Sequence, residues 1–80
     1  MVEVVVYSKP DCCLCDELKQ QLQRLGTEHP FDLREVNILE DQQVFERYKD
    51  QIPVVFINGR KAFKYRLDEK EFLKRLAREG

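Results

Sequence analysis

The sequence predicts an α/β domain: a mixed four-stranded sheet covered by three helices, in the order β-α-β-α-β-β-α. Three observations predict it. Apolar, β-branched runs fall at VEVVVY (2–7) and PVVFI (53–57), the pattern of strands buried in a sheet. Segments with helical spacing alternate with strands in the first half, which implies right-handed parallel crossovers. Asn58-Gly59 separates two strand-like runs and marks a tight hairpin, so the sheet also gains an antiparallel strand.

Each element has a local reason. The first strand stops at Ser8-Lys9-Pro10-Asp11, because proline has no N–H to give a central strand. From Cys13 the pattern turns helical. Leu14, Leu18, Leu22 and Leu25 recur at spacings of four, four and three, and Asp16, Lys19, Gln20 and Gln23 fill the other face. Gly26 is the predicted C-cap. FDLREVNI (31–38) alternates and predicts a second strand. A short helix is predicted over 41–48, with Val44, Phe45 and Tyr48 inward. KAFKY (61–65) returns antiparallel after the hairpin. Asp68-Glu69-Lys70-Glu71 has a capping-box form and opens a last helix, with Phe72, Leu73 and Leu76 toward the core. No linker or repeat divides residues 1–80, so one domain is expected.

A chain of 80 residues buries only a modest core. Its 14 basic and 15 acidic residues are intermixed, for a net charge of −1. That leaves no clustered basic face for nucleic acid. There is no long apolar run for a membrane span and no signal-peptide pattern. A monomer with no nucleic-acid or membrane partner is expected. An odd, clustered cysteine count in this context points to a reducing, cytoplasmic setting.

All three cysteines lie within SKPDCCLCDEL (8–18), at positions 12, 13 and 15. A bridge between Cys12 and Cys15 closes a tiny loop and removes little chain entropy. Disulfide-scaffold proteins spread their cysteines along the chain. The cluster therefore reads as chemistry rather than framework. With a helix starting between them, the Cα atoms of Cys12 and Cys15 lie roughly 5–6 Å apart, within disulfide reach. Cys12 then sits ahead of the first turn, where unpaired N–H groups and the helix dipole favour an anion. Lys9 adds positive charge. These effects lower a thiol pKa, while Asp11 and Asp16 oppose them. The expected chemistry is attack by the Cys12 thiolate on a disulfide and release by Cys15, with no metal or organic cofactor. Cys13 is expected to point away from Cys15, as a bystander or a secondary site for glutathione or metal. A closed zinc site is disfavoured, because no second cysteine pair follows and His29 is the only histidine.

VVYSKPDCCLC resembles the active-site segment of the glutaredoxins: a first strand ending in Tyr-Ser-Lys, two residues, then Cys-x-x-Cys. QIPVVFING (51–59) resembles the proline element that opens the third strand in the thioredoxin-like superfamily. The likeness covers almost the whole chain. Cys-x-Leu-Cys-Asp-Glu is similar to a small glutaredoxin-like subfamily. The resemblance implies a thioredoxin-like fold and a thiol–disulfide oxidoreductase, with Cys12 as nucleophile, Cys15 as resolving thiol, and Pro53 cis against Cys12. It implies that the Ile52 backbone offers its N–H and C=O to an extended substrate. Lys9 would bind a glutathione carboxylate, and Gln51 would donate to the other end of the tripeptide. Asp68 would present a carboxylate and N–H groups at a helix start, where its plain role is N-cap. Glutathione is thus an implied co-substrate. The implied electron donor is glutathione or a protein of the thioredoxin-reductase type, and the implied substrate is a disulfide-containing protein.

The chain departs from that family at two places. Glutaredoxins carry a Gly-Gly pair after the hairpin, where this chain reads Phe63-Lys64-Tyr65-Arg66-Leu67-Asp68, and Leu14 stands where a tyrosine is usual. Lys9 and Arg66 are then either anion contacts or solvated surface charges. Two other classes of function also fit the cysteines. Cys12, with glutathione or a second subunit, would hold an iron–sulfur cluster or zinc, although cluster-carrying glutaredoxins usually lack the second cysteine. Alternatively, the domain binds a partner or reports redox state without turnover. Phe31, Phe45, Phe56, Phe63, Phe72 and Tyr48 read as core, and Tyr7 either lines the site or packs.

Overall fold

In the computed structural model, which describes residues 1–79, the chain runs β1 (Glu3–Ser8), α1 (Cys13–Glu28), β2 (Asp32–Asn37), α2 (Gln42–Tyr48), β3 (Val54–Ile57), β4 (Arg60–Lys64) and α3 (Glu69–Glu79). The sheet order is β2-β1-β3-β4. β1 pairs parallel with β2 and antiparallel with β3, and β3 pairs antiparallel with β4. The mixed four-stranded sheet with three helices is the architecture the sequence predicts. A turn of 3₁₀ helix at Ile38–Glu40 was not foreseen. Asn37 caps it by accepting the Leu39 N–H at 2.9 Å, which ends β2 a residue early.

β1 is sealed on one face and half-buried on the other. Val4 and Val6 join Leu18, Leu22, Leu25, Val55, Ile57, Phe72 and Leu76 under α1 and α3. The opposite face packs Tyr7, Val54 and Phe56 against Val44, Phe45 and Tyr48 of α2. The sequence predicts a strand buried throughout. The asymmetry arises because α2 has seven residues and covers less of the sheet than α1 and α3. Tyr7 packs rather than projecting: its ring stacks on Phe56 at 5.1 Å and meets the Tyr48 ring edge-on at 4.9 Å.

Two helix expectations need correction. Gly26 does not cap α1, which continues to Glu28 and closes with the His29 N–H donating to Leu25 C=O at 2.8 Å. Gly26 instead lies 3.6–3.7 Å, measured from an added Cβ, below the Phe31 ring. The periodic Leu14 is not core: it is 42% exposed, because the first turn of α1 overhangs the end of the sheet. The Asp68 cap follows from sequence, and Asp41, expected as the first residue of the second helix, is instead its cap. Asp41 accepts from the Gln43 and Val44 N–H groups at 2.9 and 3.3 Å, and Asp68 from Glu71 at 3.2 Å.

The hairpin uses Asn58 at φ 49° and Gly59 at φ 82°. Two successive positive φ values make the turn whose twist matches the strands. β4 begins at Arg60 and ends at Lys64, one residue earlier than predicted, and Ala62 is the extra residue of a bulge opposite Val55 and Phe56. Among the described residues no helix is long and apolar enough to cross a membrane.

Candidate active site

The loop between β1 and α1 delivers the cysteines. Asp11 adopts φ 60°, a left-handed conformation that a short acidic side chain tolerates. It turns the chain so that Cys12 becomes the N-cap of α1. Cys12 Sγ accepts the Cys15 N–H at 3.3 Å, and Cys12 C=O accepts the Asp16 N–H at 3.0 Å. The Cα atoms of Cys12 and Cys15 are 5.2 Å apart and their sulfurs are at disulfide distance. Cys12 is half-buried and Cys15 fully buried (0% exposed), packed with Ile38, Ile52 and Val54. Cys13 is exposed and outside the pair.

This arrangement sorts the two thiols. Cys12 is half-buried, and its sulfur accepts a helical N–H at the start of α1. A group behind it, inside the protein, meets only its neighbour. Asp16, the nearest acid in the first turn, is bridged by Lys19 at 3.6 Å, and Lys19 also reaches Glu35 at 3.3 Å. That lysine offsets the negative charge beside the sulfurs.

The Ile52–Pro53 peptide bond is cis, and Pro53 is buried at the start of β3. Cys12 packs against the same cluster as Ile52. No backbone group of the described residues bonds the Ile52 N–H or C=O, whereas Pro53 C=O accepts from Tyr65 at 2.8 Å. Ile52, just before β3, thus keeps its N–H and C=O without a backbone partner in the cluster that holds the sulfur pair.

The remaining expected contacts are placed as follows. Lys9 is exposed and forms no ion pair among the described residues. It borders a cavity of about 90 Å³ with Asp16 and Lys19. The Gln51 amide is already engaged, donating to Arg47 C=O at 3.2 Å and accepting from Lys61 Nζ. Asp68 spends one carboxylate oxygen on the α3 cap. Arg66 lines a larger cavity of about 710 Å³ between α1 and the turn from β4 to α3, together with Leu14 and Tyr65. Tyr65 was not singled out by the sequence. It adopts φ 69°, a conformation that no feature of a tyrosine advertises.

Known proteins agree with this geometry. Residues 3–77 match the family described as Glutaredoxin-like domain (DUF836). A glutaredoxin-like protein of Dictyostelium discoideum is 27% identical over 74 residues, spanning 85% of this chain and 68% of its own. The solution structure of protein Ne2328 from Nitrosomonas europaea superposes with TM-score 0.81 at 28% identity, covering 92% of this chain and 89% of that one. The thioredoxin of Fasciola hepatica shares the fold, with TM-score 0.66 at 17% identity over 99% of this chain and 81% of its own. Together with a Cys12–Cys15 pair at disulfide distance, the match over nearly the full length gives the conclusion: the chain has the thioredoxin fold and belongs to the glutaredoxin-like domain family.

Proposed function

We propose that the protein is a thiol–disulfide oxidoreductase that reduces protein disulfides or glutathione mixed disulfides through Cys12 and Cys15. The observation that carries this reading is the division of the pair. Cys12 is half-buried at a helix N-terminus with an N–H on its sulfur, and Cys15 is buried behind it. In the reduced protein the Cys12 thiolate attacks one sulfur of the substrate disulfide. A Cys12–substrate bond forms, and the other substrate sulfur leaves as thiolate. Cys15, deprotonated, then attacks Cys12 Sγ. The Cys12–Cys15 bond forms, and the second substrate sulfur departs. Two electrons pass from the protein dithiol to the substrate, and two protons end on the released thiols. No metal or organic cofactor takes part in such an exchange.

A second dithiol or thiol donor returns the pair to the reduced state. Glutathione and a thioredoxin-reductase-type protein are the donors this reading favours, in a reducing compartment such as the cytoplasm. Lys9 and Arg66 are the cations open to a glutathione carboxylate, and Asp68 contributes N–H groups at the α3 start. An intramolecular metal centre receives no support from the donor set, since the described residues bring no three His, Cys, Asp or Glu together.

A redox titration in glutathione buffers tests the reading. Samples are acid-quenched, unfolded, alkylated and weighed as intact protein. A two-electron transition to a species with Cys13 alone alkylated is expected. Three thiols that stay alkylatable throughout, or a stable glutathione adduct as the end product, would reject the dithiol mechanism.

A further inference from the structure

Tyr65 occupies an unusual backbone position at the rim of the redox site. The Arg66 N–H donates to Lys64 C=O at 2.8 Å, an i→i+2 bond, with Tyr65 between them at φ 69°. This is a γ-turn of the positive-φ kind, which is rare and strained for any residue with a Cβ. A bulky residue held there marks a site where the surroundings over-determine the backbone, and such residues cluster at ligand clamps. Here the surroundings are two hydrogen bonds. The Tyr65 N–H donates to Pro53 C=O at 2.8 Å, and the Tyr65 hydroxyl donates to Asp50 C=O at 2.6 Å. Both acceptors flank Ile52, whose own backbone groups are unpaired. The tyrosine is tied on either side of that residue.

The side chain that this turn presents is 42% exposed, as is that of Leu14 on α1, and both line the cavity of about 710 Å³. Among the described residues only four large hydrophobic residues are exposed to this extent. Two of them thus wall a single groove, and one of these, Leu14, lies between Cys13 and Cys15 in the chain. A volume in this range suits a ligand well beyond a single small thiol. The Tyr65 N–H bond to Pro53 C=O ties this wall of the groove to the residue after Ile52, whose unpaired backbone groups suit an extended chain.

We infer that Tyr65 is a specificity-determining residue of the redox site: with Leu14 it grips an apolar side chain next to the reacting cysteine of an extended polypeptide substrate. The inference rests on the proposed disulfide exchange and names its substrate class as protein disulfides rather than small-molecule disulfides. A glycine at position 65 would release the γ-turn strain, so a purely structural role and a gripping role move in opposite directions.

The test compares second-order rates of the reduced protein with two probes. One is hydroxyethyl disulfide. The other is a short extended peptide whose cysteine is disulfide-linked to mercaptoethanol and followed by leucine. The unmodified protein is expected to favour the peptide about tenfold, the discrimination a modest apolar contact supplies. Tyr65→Gly and, independently, Leu14→Ala should each lower that ratio severalfold. Tyr65→Phe should keep most of it, because the ring remains. An unmodified protein without preference, or a ratio that both Tyr65→Gly and Leu14→Ala leave intact, overturns the inference while the exchange reaction stands. Exchange with neither probe removes the redox reading, and the inference with it.

Discussion

The Cys15 amide N–H points at the Cys12 sulfur from 3.3 Å. In the proposed exchange, Cys15 would stabilise the attacking thiolate through its backbone and resolve the mixed disulfide through its side chain, so both steps would depend on one helical turn.

The two thiols should give opposite phenotypes. Cys12→Ser is expected to abolish disulfide exchange. Cys15→Ser is expected to accumulate a covalent Cys12–substrate adduct, visible as added mass on the intact protein and removed by dithiothreitol. Full activity in Cys12→Ser, or an adduct carried by Cys13, would reassign the nucleophile.

The anion-favouring position of Cys12 predicts a pH signature. In reduced Cys13→Ser protein, the rate of Cys12 alkylation by iodoacetamide should level off at lower pH than that of N-acetylcysteine measured alongside. Coincident alkylation profiles would mean that the helix terminus does not act on the sulfur.

Core packing sets a larger scale. Phe72 is fully buried, meets Phe31 at 5.5 Å and Phe63 at 6.4 Å, and joins α3 to the sheet. Phe72→Ala should cost about 3–5 kcal/mol in urea unfolding of the oxidised protein, the range for deleting a buried ring. A loss under about 1 kcal/mol would show that the site collapses or that α3 is dispensable to the fold.

Gly26→Ala should stabilise. Gly26 lies inside α1, and the added methyl would touch the Phe31 ring at ordinary contact distance. Replacing a mid-helix glycine by alanine gains about 0.5–1 kcal/mol, read as a raised thermal midpoint. A lowered midpoint would indicate that the Phe31 ring cannot accept the methyl.

What the sequence reveals is what local chemistry decides. The break at Pro10, the Asn58-Gly59 turn, the Asp68 cap and the start of α1 at Cys13 each follow from a side chain's own conformational preference. What it conceals is decided by distant neighbours. Gly26 reads as a stop signal, yet stays helical over the Phe31 ring. Leu14 has core periodicity, yet overhangs the sheet end. Gln51 has the chemistry of a ligand donor, yet Arg47 and Lys61 engage its amide. Tyr65 reads as the last residue of a strand, because tyrosine favours strands and nothing in its neighbours demands a positive φ.

The charges along the two sheet margins have a consequence for behaviour at high concentration. β2 exposes Asp32, Arg34 and Glu35, while β4 exposes Arg60, Lys61 and Lys64 and is buckled at Ala62. Stacking of molecules through either margin brings those charges together, and at β4 it also meets an uneven ladder, both ways in which sheets avoid templating aggregates. Among the described residues Ile52 keeps its backbone groups unpaired in the cluster that holds Cys12. In the proposed exchange, a chain that pairs there would bring its own disulfide to the sulfur, so adhesion and chemistry would coincide.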